Sequence, residues 1–143
     1  VFYDTNVLIA AAIRQHPHFG RADEAFRRSV TGDDEGIIHA HSLLEFHAVV
    51  TRLPRGLAVP GEIAGTLLTE GVLPHVRCIS LNADEIAQVQ NQAAFAGLIG
   101  GIIYDFYHLA AAESEQVKRF YTFNTEHFRR IASGSFRDRI VAP

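Results

Sequence analysis

Val1-Phe2-Tyr3-Asp4-Thr5-Asn6-Val7-Leu8-Ile9 opens the chain, and its reading decides the fold. Three β-prone residues are followed at once by Asp, Thr and Asn, side chains that favour the start of a helix, and then by an apolar run over 7–13. Strand, turn and a helix buried on every side succeed one another with no spare residues. The same grammar recurs downstream. A break at His16-Pro17-His18 leads to a helix over 21–30 with Ala22, Ala25, Phe26 and Ser29 on one face, and 37–40 reads as a second strand. Ser42-Leu43-Leu44-Glu45 has capping-box spacing, and Leu43, Phe46, His47 and Val50 carry the helical period towards Pro54. A weaker helix over 60–70, a third strand over 76–80 and a second capping box, Asn82 to Glu85, opening a helix to residue 95, come next. Gly97, Gly100 and Gly101 punctuate the chain before a helix over 102–113, a fourth strand over 119–123, a helix over 125–131 and an edge strand over 139–141.

Strands separated by helices, each connection long enough for a crossover, predict an α/β fold: a three-layer α/β/α sandwich around a mainly parallel central sheet. At 143 residues, one domain spanning 1–143 is expected. Hydrophobic residues make up 48% of the chain and charged residues 20%, a globular rather than a disordered balance. The apolar stretch over 93–104 falls well short of the roughly 20 residues that span a bilayer, so neither a membrane span nor a secretory leader is expected. The single Cys78 excludes an internal disulfide framework and any zinc cage built on two thiolates. A reducing, cytoplasmic location fits that usage. Net charge is −3, from 13 basic and 16 acidic residues, so any nucleic-acid partner must be held by local charge or by metal.

In parallel α/β sheets the reactive crevice lies at the carboxyl ends of the strands. Asp4 follows the first strand, Glu45 lies in the first helical turn after the second, Asp105 near the start of a helix, and Asn124 after the fourth strand. Each has a plainer reading: Asp4 as an N-cap, Glu45 as the reciprocal half of the Ser42 box, Asn124 as a cap. Asp105 shares a helical face with Ile102, Leu109 and Ala112, which places a carboxylate where its neighbours are apolar. Asp23, Asp33, Asp34, Glu62 and Asp84 occupy no strand end and read as surface or turn residues. Three clustered carboxylates repel one another and call for a cation. Hard oxygen donors without cysteine select Mg²⁺ or Mn²⁺, which keep waters and leave room for a phosphate and an attacking water. The implied reaction is phosphodiester hydrolysis.

The opening stretch, Ser42-Leu43-Leu44-Glu45-Phe46, Tyr104-Asp105-Phe106-Tyr107-His108-Leu109-Ala110-Ala111-Ala112 and Tyr121-Thr122-Phe123-Asn124-Thr125-Glu126-His127-Phe128 occur in that order. Together they resemble PIN-domain proteins and, in size and layout, the VapC-type ribonuclease toxins. The resemblance covers essentially the whole chain. It implies catalytic positions at Asp4, Glu45, Asp105 and Asn124, metal held by Asp4, Glu45 and Asp105, and Asn6 and Thr122 as supports that orient ligands. Many relatives carry a fourth Asp where this chain has Asn124, and losing that charge weakens a second metal site. Glu126 offers a substitute carboxylate, although it also suits the first turn of a helix. RNA as substrate, a small antitoxin covering the acidic pocket and pairing as a homodimer are further implications of the resemblance.

Phosphates beside an acidic pocket need flanking cations, for which Arg14, Arg52, Arg129 and Arg130 are the candidates. Eight histidines invite zinc, with His39 and His41 on one side of an extended strand and His16 and His18 bracketing a proline, but spacing fixes no third ligand. His108 and His127 read as helix residues with local hydrogen bonds. The glycines over 97–101 lack the setting of a phosphate-binding loop. Two alternatives stand beside the nuclease: a PIN-like domain that binds RNA or protein without cutting, and a receiver- or phosphatase-like domain with Asp4 as nucleophile. The second is opposed by the absence of an acidic residue at position 6 and of a lysine after a late strand.

Overall fold

β1 (Phe2–Tyr3) lies at the centre of a parallel sheet, flanked on one side by β2 (Gly36–His39) and β3 (Val76–Ile79) and on the other by β4 (Phe120–Tyr121) and β5 (Ile140–Val141). The computed structural model describes residues 1–54 and 56–143. Among these the strand order is β3-β2-β1-β4-β5, with Phe2 in register with Ile37 and Phe120, and Tyr3 with Tyr121. Every pairing is parallel.

Strand alternation assigns the two faces. Phe2 packs with Ile37, Phe120 and Ile140 against Leu109 and Phe128. Tyr3 turns the other way, joining Ile38 and Tyr121 against Val7, Leu8, Phe26 and Phe46. The helices divide accordingly. On the Tyr3 face lie α1 (Thr5–Ala12), α2 (Phe19–Val30), α3 (His41–Val50) and α4 (Gly61–Thr66). On the Phe2 face lie α6 (Ile102–Ser114) and α7 (Thr125–Ile131), and α5 (Ala83–Phe95) packs on α6. The three-layer α/β/α sandwich read from the sequence is the architecture observed.

Local chemistry explains the packing distances. The Tyr3 hydroxyl donates to the Ala25 carbonyl at 2.9 Å and lies 2.9 Å from Ser29 Oγ, which ties α2 to the central strand. β2 passes so close beneath that helix that a Cβ on Gly36 would sit 2.6 Å from Ser29 Oγ. Only glycine fits there without displacing α2.

Several elements depart from expectation. The helix expected over 60–70 is α-helical only over Gly61–Thr66, then widens into a π-helical turn over Leu67–Val72 and tightens to a 3₁₀ turn over Leu73–His75. Thr66 and Thr69 bond back to the carbonyls of Glu62 and Gly65, a competition with the helical ladder that loosens it. The fourth strand is shorter than 119–123, because the backbone N–H groups of Phe123 and Asn124 turn to the Asn6 and Thr122 side chains. Of the two capping boxes, Asn82 with Glu85 forms as written, whereas α3 starts one residue before Ser42 and uses no side-chain cap. No helix of the described residues is long and apolar enough to cross a membrane.

The chain winds outward from β1 through β2 to β3, then returns to the other side of β1 for β4 and β5. The connections therefore reverse direction between β1 and β4, and the crevice beyond their carboxyl ends is where open α/β sheets bind ligands.

Candidate active site

Asp4 directly follows β1 and Thr122 directly follows β4, so both stand at that reversal. Asp4 has the backbone of an N-cap but not its side-chain bond. Its Oδ2 accepts instead from Thr122 Oγ1 at 2.6 Å. The same hydroxyl oxygen accepts from Asn6 Nδ2 and from the Asn124 N–H, each at 3.0 Å, and Asn6 Oδ1 accepts the Phe123 N–H at 3.1 Å. Both ends of the Asn6 amide are thus engaged, and Thr122 has one proton to give, which Asp4 receives.

Asp4 is 5% exposed, and its pKa is pushed up to about 6. Burial is the chief cause. The Thr122 bond and the His108 ring oppose the rise, while the carboxylates of Glu45 and Asp105 add to it. The three acids, remote in sequence, therefore feel one another across the crevice.

Each of the other two has its own partner. Glu45 Oε2 accepts from Thr5 Oγ1 at 2.5 Å and lies 3.3 Å from His108 Nε2. The buried His108 ring makes no aligned hydrogen bond among the described residues, so the contact is one of proximity. With His108 and Thr5 both favouring the ionised form, the Glu45 pKa falls below the usual carboxylate value. Asp105 Oδ2 lies 2.9 Å from His127 Nε2, and its side chain is 34% exposed. Asp105, expected among apolar neighbours, faces half-open space beside α7; the buried acid is Asp4. Glu45 is no capping partner either, because Ser42 is enclosed with its hydroxyl unbonded.

His108 and His127, read from sequence as making local bonds, instead reach across to acids on α3 and α6. The i, i+3 spacing of His108 from Asp105, and the position of the two histidines in the third and fourth strings, were the available signals. His39 is fully enclosed, with neither ring nitrogen bonded, and its pKa drops to about 4, through burial first and then the neighbouring His108 and His41. Asn124 and Glu126 lie exposed at the start of α7, and Asn124 makes no side-chain cap bond. Arg14, Arg52 and Arg130 lie on the surface without an ion pair among the described residues. Arg129 does not share that freedom: its guanidinium donates to the Ile140 carbonyl at 3.1 and 2.7 Å, bracing β5.

Hard oxygens grouped near a buried Asp4 whose pKa is raised suit Mg²⁺ or Mn²⁺, and no thiolate competes for a softer ion. The set is open rather than a closed cage. Among the described residues no three His, Cys, Asp or Glu side chains converge tightly enough to hold an ion as they stand, and each of the three carboxylates is in contact with a neighbouring side chain, Thr122, Thr5 or His127. An ion that keeps several of its waters needs no more than one or two carboxylates directly. The donors present fit such an ion.

The PIN domain profile matches residues 1–134. The chain belongs to the PIN-domain family. Comparison with curated protein sequences gives no match. Among solved structures, this PIN domain is similar to the sarcin-ricin loop cleaving toxin VapC20 of Mycobacterium tuberculosis, with a TM-score of 0.70 at 18% identity over 99% of this chain and 98% of that one. VapBC2 of Rickettsia felis, bound to a DNA fragment from its promoter, superimposes with a TM-score of 0.63 at 20% identity over 91% of each chain. FitAcB of Neisseria gonorrhoeae gives 0.61 at 21% identity over 89% of each. The likeness to all three is one of fold.

Proposed function

We propose that this PIN domain is a metal-dependent endoribonuclease that hydrolyses RNA phosphodiester bonds, acting as the toxin of a toxin–antitoxin pair in the cytoplasm. One observation carries the reading. A buried carboxylate, Asp4, lies at the switch point of the sheet with its pKa raised by burial and by two further acids, an arrangement short of positive charge. Membership of the PIN family and the fold shared with a toxin that cleaves the sarcin-ricin loop support RNA as the substrate. A small antitoxin and a homodimeric state are proposed on the same footing.

Asp4, Glu45 and Asp105 would hold Mg²⁺ or Mn²⁺, which when bound supplies charge that polarises the phosphorus centre and lowers the pKa of a water. The chain's own residues do the rest. Thr122, fixed by Asn6, aims the Asp4 carboxylate and occupies one of its oxygens, while burial keeps bulk water from it. Thr5 and His108 keep Glu45 ionised, and His127 holds Asp105. Arg14, Arg52 and Arg130 are the cations available to offset phosphate repulsion, and Arg129 contributes by bracing β5. Asn124 supplies a neutral donor at the fourth position, which favours a single resident ion.

That neutral amide also favours a second reading, a domain that binds RNA or protein without cutting. The two separate in one assay of the purified protein on structured RNAs with Mg²⁺, Mn²⁺ or EDTA, beside Asp4→Asn and Asp105→Asn. Metal-dependent cutting lost in both variants, with the fold intact, is the expected result. Cutting that persists in EDTA rejects the mechanism, and RNA retained without cutting selects the scaffold.

A further inference from the structure

At the rim of the acid crevice His41 and Tyr104 lie ring on ring, centroids 5.1 Å apart and planes 2° from parallel. Both residues are placed by the acids. His41 opens α3 one turn before Glu45, and Tyr104 precedes Asp105 on α6. The His41 ring is also 5.6 Å from that of His108, the residue beside Glu45. The pair therefore bridges the two helices that carry two of the three carboxylates.

Tyr104 is not a core residue. It is 55% exposed, makes no hydrogen bond through its hydroxyl and has no second ring stacked on it among the described residues. It also lines a cleft of about 230 Å³ between α5 and α6, whose other walls are Ile86, Val89, Gln90, Ile103 and Tyr107. Gln90 is exposed, its amide unengaged among the described residues. An exposed aromatic ring backed by a second ring, at an apolar slot with the exposed amide of Gln90 beside it, has the chemistry of a nucleobase subsite: a π-face to stack on and a donor–acceptor group for a base edge.

We infer that Tyr104, backed by His41, stacks a base of the bound RNA in this cleft, with Gln90 at the base edge, and so positions the neighbouring phosphate at the acids. The inference rests on the RNA reading of the site. Because the base is held before and during cutting, losing the platform raises KM more than it lowers kcat.

The chain contains no tryptophan, so Tyr104→Trp installs a single reporter. In EDTA and low salt, a short single-stranded oligoribonucleotide should quench it saturably, and an abasic ribose-phosphate chain of equal length should not. Tyr104→Ala should weaken oligonucleotide binding roughly 5- to 150-fold, the range of one stacked base, while Tyr104→Phe keeps most of it. Gln90→Ala should change the preference among bases with little loss of overall binding. Thermal melts of each variant check the fold, which an exposed position should not disturb. Equal quenching by the abasic chain, wild-type binding in Tyr104→Ala, or no saturable binding by the wild-type chain overturns the platform. The cutting assay separates this failure from the other. Wild-type cutting with KM unchanged in Tyr104→Ala removes the platform and leaves the nuclease, whereas base-dependent quenching in a chain that never cuts keeps the platform and removes the nuclease.

Discussion

Asp4 is a residue the isolated fold carries at a loss. An acid whose pKa rises from 3.8 to about 6 on folding binds its proton more tightly in the native state, so stability falls as pH climbs between those values. Above pH 6 the deficit amounts to about 3 kcal/mol. Asp4→Asn keeps an oxygen for the Thr122 hydroxyl and removes the charge. It should therefore raise the melting temperature at pH 7.5 without divalent ions by several degrees while abolishing cutting, and a variant that melts lower than wild type would refute the account. His127 is the opposite case. It is partly exposed, so His127→Phe should leave the melting temperature within about 2 °C of wild type. Asp105 then loses the bond that holds it, and cutting should fall roughly 10- to 100-fold, the cost of losing a residue that orients a ligand. An unchanged rate would show that Asp105 needs no such support.

Two helices with the same written signal behave differently. Asn82 accepts from the backbone of Asp84 and Glu85 while Glu85 reaches back to Asn82, so Asn82→Ala should cost about 1 kcal/mol. Ser42 fits the same spacing, yet its hydroxyl is enclosed and unbonded, so Ser42→Ala should be neutral or stabilising by up to about 1 kcal/mol. Denaturant titrations of both variants read the contrast, and a loss at Ser42 matching that at Asn82 would contradict it. The reason was not legible locally: Glu45 is claimed by Thr5 and His108 from other elements, and only the tertiary fold shows the competition. What was legible depended on short-range physics. Polar residues immediately after β1, and the face of α2 carrying Ala22, Ala25, Phe26 and Ser29, follow from strand and helix periods alone, and all four of those residues are buried as expected. The His108 and His127 contacts and the diversion of Arg129 to β5 were not, because each depends on a partner many residues away.

For the molecule as a whole, the buried His39 on β2 and the buried Asp4 just after β1 set opposing pH slopes. His39, whose pKa falls from 6.5 to about 4 on folding, contributes stability that is complete above pH 6.5 and lost as pH drops through 4. Asp4 loses stability as pH rises from about 4 to about 6. The windows overlap almost completely, and the two contributions are of the same order, about 3 kcal/mol each at full extent. In the wild-type chain they largely cancel, so stability should vary little between pH 4 and 6.5 on their account. Removing either unmasks the other. Asp4→Asn should leave a protein whose stability climbs steadily with pH across that range, limited by His39. His39→Phe, which fills the same enclosed space against Tyr107 without a titrating ring, should give one whose stability declines across it. Urea unfolding of the three proteins at half-unit pH steps reads the difference directly, since each variant is compared with its own parent and slow changes in the unfolded chain drop out. The double variant should return to the shallow profile of wild type. Parallel profiles in all four proteins would mean that neither group changes its proton affinity on folding, and with that the charge-deficient crevice at the switch point would lose its main support.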